Sequence, residues 1–127
     1  MPNPMIHWEL MVEDPQRAQA FYRRVFDWTF DDASPDYTLI DPGAPPGGGM
    51  LRRPRNVPMS SLHVYFEVAD LDRTLVSAVE AGATVIVPRM AVPGVGWFAM
   101  FLDPERIPVG VMQRHDVEAG APADPIC

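Results

Sequence analysis

The sequence predicts an α+β fold built from two tandem β-α-β-β-β modules. Three observations predict it. His7, Val12, Asp14 and Arg17 recur as His63, Val68, Asp70 and Arg73, at a constant spacing of 56 residues. A second echo follows at a spacing of 62: Asp41-Pro42 returns as Asp103-Pro104, Pro46 as Pro108, Gly48 as Gly110, Met50 as Met112 and Arg52 as Arg114. Ordered echoes of this kind mark a duplicated unit. Within each copy the apolar spacing switches from alternation to a helical stripe and back.

Each element has a local reason. Residues 5–13 alternate, with Trp8, Leu10 and Val12 on one face and His7, Glu9, Met11 and Glu13 on the other. Asp14 caps a helix over 15–26, with Pro15 at its first position. The stripe of that helix is Ala18, Phe21, Tyr22, Val25 and Phe26, which reads as core. Trp28 leads into a second strand, and residues 37–40 form a third, closed by the Asp41-Pro42-Gly43 turn. A Pro/Gly-rich loop runs to Gly49, without the spacing of a phosphate-binding loop, and residues 50–52 make a short fourth strand. After a linker at 54–60 the order repeats. Residues 62–68 are a strand, and Asp70 caps a helix over 71–81 with the stripe Leu71, Leu75, Ala78 and Val79, ended by Gly82. Residues 84–87 are a strand stopped by Pro88, Gly94 and Gly96 mark a hairpin, and strands follow at 97–102 and 109–113. The chain reads as one domain over 1–127, with module one at 5–53, module two at 60–114 and a loose tail at 115–127.

Composition narrows the function. A hydrophobic content of 47% argues for a folded globular protein. The net charge of −7 offers no basic stripe for phosphate, so nucleic acid is excluded as a partner. A neutral or cationic small ligand suits this field better. Cys127 is the only cysteine, which excludes an intrachain disulfide and a cysteine metal site. All ten basic residues are arginine, which excludes lysine Schiff-base chemistry. No signal peptide and no membrane-length apolar run is seen, so a cytoplasmic location and no membrane partner are expected.

The motif His7-x-x-Leu10-x-Val12-x-Asp14, the helix with Phe21-Tyr22, Phe26-Asp27-Trp28, and the closing Pro93-Gly94-Val95-Gly96-Trp97-Phe98 with Asp103-Pro104-Glu105 resemble the vicinal oxygen chelate superfamily. That superfamily includes glyoxalase I, bleomycin-resistance proteins and extradiol dioxygenases. The resemblance covers roughly residues 5–114. It implies that the modules form a curved eight-stranded mixed sheet, an incomplete barrel with the helices on its outer face, and it implies a homodimer. It also implies a metal set of one histidine from each first strand and one carboxylate or glutamine from each last strand. The histidines land on His7 and His63, and the late positions land on Gly48 and Gly110, which have no side chain to ligate with.

No cofactor is therefore assigned; a divalent metal, if any, would sit on His7 and His63. Alternation places Glu9 on the face of His7, and Tyr65 and Glu67 on the face of His63. If both first strands line one cup, these five residues converge there, with Trp97 and Phe98 near its mouth. Glu9 and Glu67 are the candidate acid/base residues; His7, His63, Tyr65 and Trp97 are the candidate ligand-binding residues. The same histidines can equally serve as inherited hydrogen-bonding groups, and Trp97 can equally be core. The reading that follows is a cup-shaped small-molecule site used for ligand binding or sequestration. The alternative is a metal-dependent or acid/base lyase, isomerase or dioxygenase acting on a small metabolite, so whether the chain is an enzyme stays open.

Overall fold

A computed structural model describes residues 2–57 and 59–115. The tail expected at 115–127 lies, apart from His115, outside the described residues, and so does Cys127. The chain divides into two units, residues 6–63 and residues 64–115 with residues 2–5.

The first unit contains β1 (Met5–Val12), α1 (Pro15–Phe26), β2 (Thr29–Ser34), β3 (Tyr37–Asp41) and β4 (Gly48–Arg52). Its strands lie in the order β2-β3-β4-β1. β1 and β4 are parallel and the other pairs antiparallel. Asp14 caps α1 by accepting from the Arg17 N–H at 3.1 Å, as its residue type predicts. The even-numbered residues of β1 face the helix. Leu10, Ile40 and Met50 form a buried cluster, joined by Trp8, Val12, Ala18, Tyr22, Trp28 and Phe30. The Trp28 ring stacks on Tyr22 with centroids 5.0 Å apart. Only part of the predicted stripe of α1 is core: Phe21, Val25 and Phe26 are more than half exposed. One face of a helix meets a sheet, and here Ala18 and Tyr22, four residues apart, supply it.

The second unit repeats the plan with β5 (Ser61–Glu67), α2 (Leu71–Glu80), β6 (Thr84–Val92), β7 (Gly96–Leu102) and β8 (Pro108–Arg114), in the strand order β5-β8-β7-β6. Asp70 caps α2 through the Arg73 N–H, also at 3.1 Å. The Asp-to-Arg echo of the sequence is thus a pair of helix caps. Val68, Leu71, Ala99 and Val111 make the buried cluster under α2, with Leu75, Trp97 and Phe101 against it. Val79, expected in the stripe, is half exposed. Pro88 does not stop β6, which runs on to Val92. β6 is the edge strand of this unit, where a missing N–H breaks no ladder, and its pairing with β7 shifts register between Val87 and Met90.

The eight strands and two helices are the α+β set that the sequence predicts, and each unit mixes parallel with antiparallel pairs. No helix among the described residues is long and apolar enough to cross a membrane.

Candidate functional site

In the first unit, the face of β1 opposite α1 carries His7 and Glu9. Tyr37, from β3, bridges them. Its hydroxyl lies 2.8 Å from His7 Nε2 and donates to Glu9 Oε2, also at 2.8 Å. The Tyr37 oxygen thus contacts both side chains, and His7 also bonds the Gly47 backbone. His7 is 3% exposed. Burial lowers its pKa from 6.5 to about 4, against a hydrogen bond to the Gly47 backbone that raises it. At neutral pH His7 is therefore an uncharged imidazole, in series with Tyr37 and Glu9.

The strand register corrects the position of the late residue in this module. Trp8 pairs with Gly48, and Glu9 with Gly49. Gly48 lies under Trp8, on the helix side: a Cβ there would stand 2.5 Å from the indole ring. Gly49 is the residue on the His7 face, and a Cβ there would stand 1.8 Å from the Tyr37 hydroxyl oxygen. A side chain is excluded at Gly49 because Tyr37 already fills its space. The spacing of 62 belongs to the turns, where Asp41 accepts from the Gly43 N–H and Asp103 from the Glu105 N–H, each at 2.8 Å. Between the strands the spacing is 61, since Glu9 faces Gly49 as Tyr65 faces Gly110. A slip of one residue exchanges the two faces of a strand.

Beside the array is a cleft of about 490 Å³ lined by Asp31, Leu39, Asp41, Pro42, Pro45 and Gly47, among others. Gly47 is the residue whose backbone bonds His7. Tyr37, Leu39 and Asp41 alternate onto one face of β3, and Asp31 pairs with Leu39. The cleft thus has an apolar floor and two carboxylates.

His63, the echo of His7, is placed differently. Its Nε2 lies 3.0 Å from the Ser61 hydroxyl, and its buried Nδ1 has no hydrogen-bond partner. In the second unit Tyr65 is 4% exposed; its ring meets Phe98 edge-on, and its hydroxyl donates to the Met100 sulfur at 3.9 Å. Tyr65 covers Gly110, where a Cβ would stand 2.4 Å from Cδ1 of the ring and 2.8 Å from the Val64 carbonyl oxygen. Glu67 forms a short ion pair with Arg114, and both side chains are largely buried. Trp97 is on the helix-packed face, under Arg89 and against His115, so the residue that β7 turns toward Tyr65 is Phe98. Of the two readings open for Trp97, the structure has the core one, and Gly96 belongs to the strand.

The sequence alone did not single out Tyr37, Gly49 or Arg114 as site residues; it did place Phe98 beside Trp97. Arg114 carried a signal, as one end of an echo; Tyr37 carried none beyond alternation with Leu39 and Asp41.

The metal set implied by the fold does not fit these residues. Tyr37 engages the Nε2 atom of His7, both late positions are glycines under tyrosines, and the described residues contain no group of three or more His, Cys, Asp or Glu able to hold an ion.

Comparison with known proteins agrees with the fold. A family model described as a glyoxalase-like domain matches residues 7–111. The provisionally named glyoxylase CFP32 of Mycobacterium tuberculosis is 35% identical over 101 residues, covering 76% of this chain; the chain spans 39% of that protein's length. Methylmalonyl-CoA epimerase from Mycobacterium tuberculosis superposes with a TM-score of 0.68 at 12% identity, over 92% of this chain and 91% of that one. The Mn(II)-bound glyoxalase from Novosphingobium aromaticivorans superposes with a TM-score of 0.64 at 17% identity, over 90% of this chain and 42% of that one. The chain belongs to the glyoxalase-like domain family and has the vicinal oxygen chelate fold.

Proposed function

We propose that this chain binds or sequesters a small neutral or cationic molecule, without a metal, in the cleft beside His7, Tyr37 and Glu9. The observation that carries the reading is the Tyr37 hydroxyl, held between His7 and Glu9 in the space above Gly49. The cleft supports it: apolar walls bury a small ligand, and Asp31 and Asp41 favour positive charge. A thermal-shift screen against metabolites and cationic drugs tests it. At least one compound raises Tm, and divalent metals do not. A screen in which only metals raise Tm overturns the reading. The proposed assembly is a homodimer; sedimentation equilibrium showing only monomer at tens of micromolar counts against it.

One observation favours a second reading, an acid/base lyase or isomerase. Imidazole, phenol and carboxylate in series can move a proton without a metal. Under that reading Tyr37→Phe abolishes turnover of a carbon acid while ligand binding persists. Under the binding reading no turnover exists to lose.

A further inference from the structure

The two glycines on the last strands share a feature that composition does not explain. Each lies beneath a tyrosine of its own module, and each would collide with that tyrosine if it had a side chain. At Gly49 the three nearest atoms to an added Cβ all belong to Tyr37, at 1.8, 2.2 and 2.6 Å. At Gly110 two of the three belong to Tyr65. Real Cβ atoms do not approach other atoms this closely, so tyrosine and a late ligand exclude one another in both modules. The register makes the exclusion specific: Gly49 is opposite Glu9, on the face of His7, where a late ligand would have to project.

We propose that Tyr37 and Tyr65 occupy the volumes of the two missing metal ligands, and that Tyr37 blocks the metal site of the first module chemically as well as sterically. Its hydroxyl lies 2.8 Å from His7 Nε2 and donates to Glu9 Oε2, also at 2.8 Å, so it engages one ligating atom of each potential ligand. Removing Tyr37 vacates the space above Gly49, and a carboxylate then introduced at position 49 stands with His7 and Glu9 as a third potential ligand within one unit. Neither change suffices alone: Gly49→Glu still meets the ring, and Tyr37→Ala still lacks an oxygen ligand on β4. This inference rests on the metal-independent half of the functional reading and not on ligand identity.

The test is calorimetric titration of tag-free protein with MnCl2 or ZnCl2 alone. Wild type, Tyr37→Ala, Gly49→Glu and the double variant are compared, with Tm measured for each. The double variant binds metal about tenfold or more tightly than either single variant, since added oxygen donors favour such ions. Gly49→Glu alone lowers Tm and gains no site. The proposal is overturned if wild type binds as tightly as the double variant, or if Gly49→Glu alone keeps its Tm and binds. It is overturned equally if the double variant folds and binds no better than Tyr37→Ala. Should the double variant not fold, Gly49→Ala with and without Tyr37→Ala decides: the second change restores Tm lost to the first, and absence of that rescue contradicts the plug. An empty thermal-shift screen would remove the ligand reading and leave this result standing; metal on wild type would remove this result and the metal-free half of that reading, and leave ligand binding open to its own screen.

Discussion

The two modules share a plan and diverge at the atoms that matter. In the first, the face away from the helix carries a polar relay, His7–Tyr37–Glu9, beside an open cleft. In the second, the corresponding face is closed: Tyr65 stands where Glu9 does in the echo, packed on Phe98 and Met100, and Glu67 is held by Arg114. Both keep a glycine on the last strand, yet the three atoms nearest an added Cβ are all Tyr37's at Gly49, whereas at Gly110 one of them is a backbone carbonyl oxygen. Duplication preserves what the fold needs, the caps and the helix-facing apolar rows. The other face has diverged: it carries a polar relay in the first module and buried Tyr65 and Met100 in the second.

The comparison is most easily broken at the cores. If the two modules are equivalent under their helices, Leu10→Ala and Leu71→Ala both cost about 2–5 kcal/mol in urea unfolding. Leu71, fully buried, lies at the upper end, and Leu10, 8% exposed, below it. Equal stability of either variant with wild type would show that the assigned faces are wrong.

The glycines sharpen it next. Gly49→Ala and Gly110→Ala each cost about 1–3 kcal/mol by overpacking. Tyr65→Ala should not rescue Gly110→Ala, because the Val64 carbonyl at 2.8 Å remains. Double-mutant cycles measure the contrast with Gly49. Equal rescue in both modules would erase the distinction drawn here.

Acid probes the relay through His7. The folded pKa of His7 lies below its unfolded value of 6.5, at about 4. The unfolded chain therefore takes up the proton first as pH falls. The stability that the neutral imidazole contributes is intact above pH 6.5 and is lost progressively down to pH 4. By linkage this amounts to about 2 kcal/mol at pH 5. Urea unfolding at pH 7 and pH 5 should show that loss, and His7→Gln should remove its share of the pH dependence. A profile unchanged in His7→Gln would place the sensitive group elsewhere.

The smallest effect concerns the two glutamates. Glu67→Gln removes the charge facing Arg114 and costs about 1–3 kcal/mol. Glu9→Gln retains an acceptor for Tyr37 and stays within about 0.5 kcal/mol of wild type, while weakening binding of any ligand that the thermal screen identifies. The reverse pattern would exchange the roles of the two modules.

The fold was legible in the sequence because caps, turns and alternation are local. Asp14, Asp70, Pro15 and Gly82 each act within a few residues, and the odd–even split of β1 follows from strand geometry. The site was only half legible. His7 and Glu9 share a strand, so their common face was readable. Tyr37 comes from another strand, and pairing register between distant strands leaves no local mark. The same blindness put the late position at Gly48 and not Gly49: the echo aligned two turns, and one residue between turn and strand reversed the face. Trp97 and Phe98 could not be told apart for the same reason, since where the hairpin turn yields to strand decides which aromatic points which way.

The central claim is that the histidines retained from the duplicated motif no longer hold a metal. Elemental analysis of tag-free protein, purified without chelators, tests it most directly. The account predicts zinc, nickel, manganese and iron all far below one atom per chain, with no change on His7→Ala or His63→Ala. A stoichiometric metal that disappears with either substitution would contradict it.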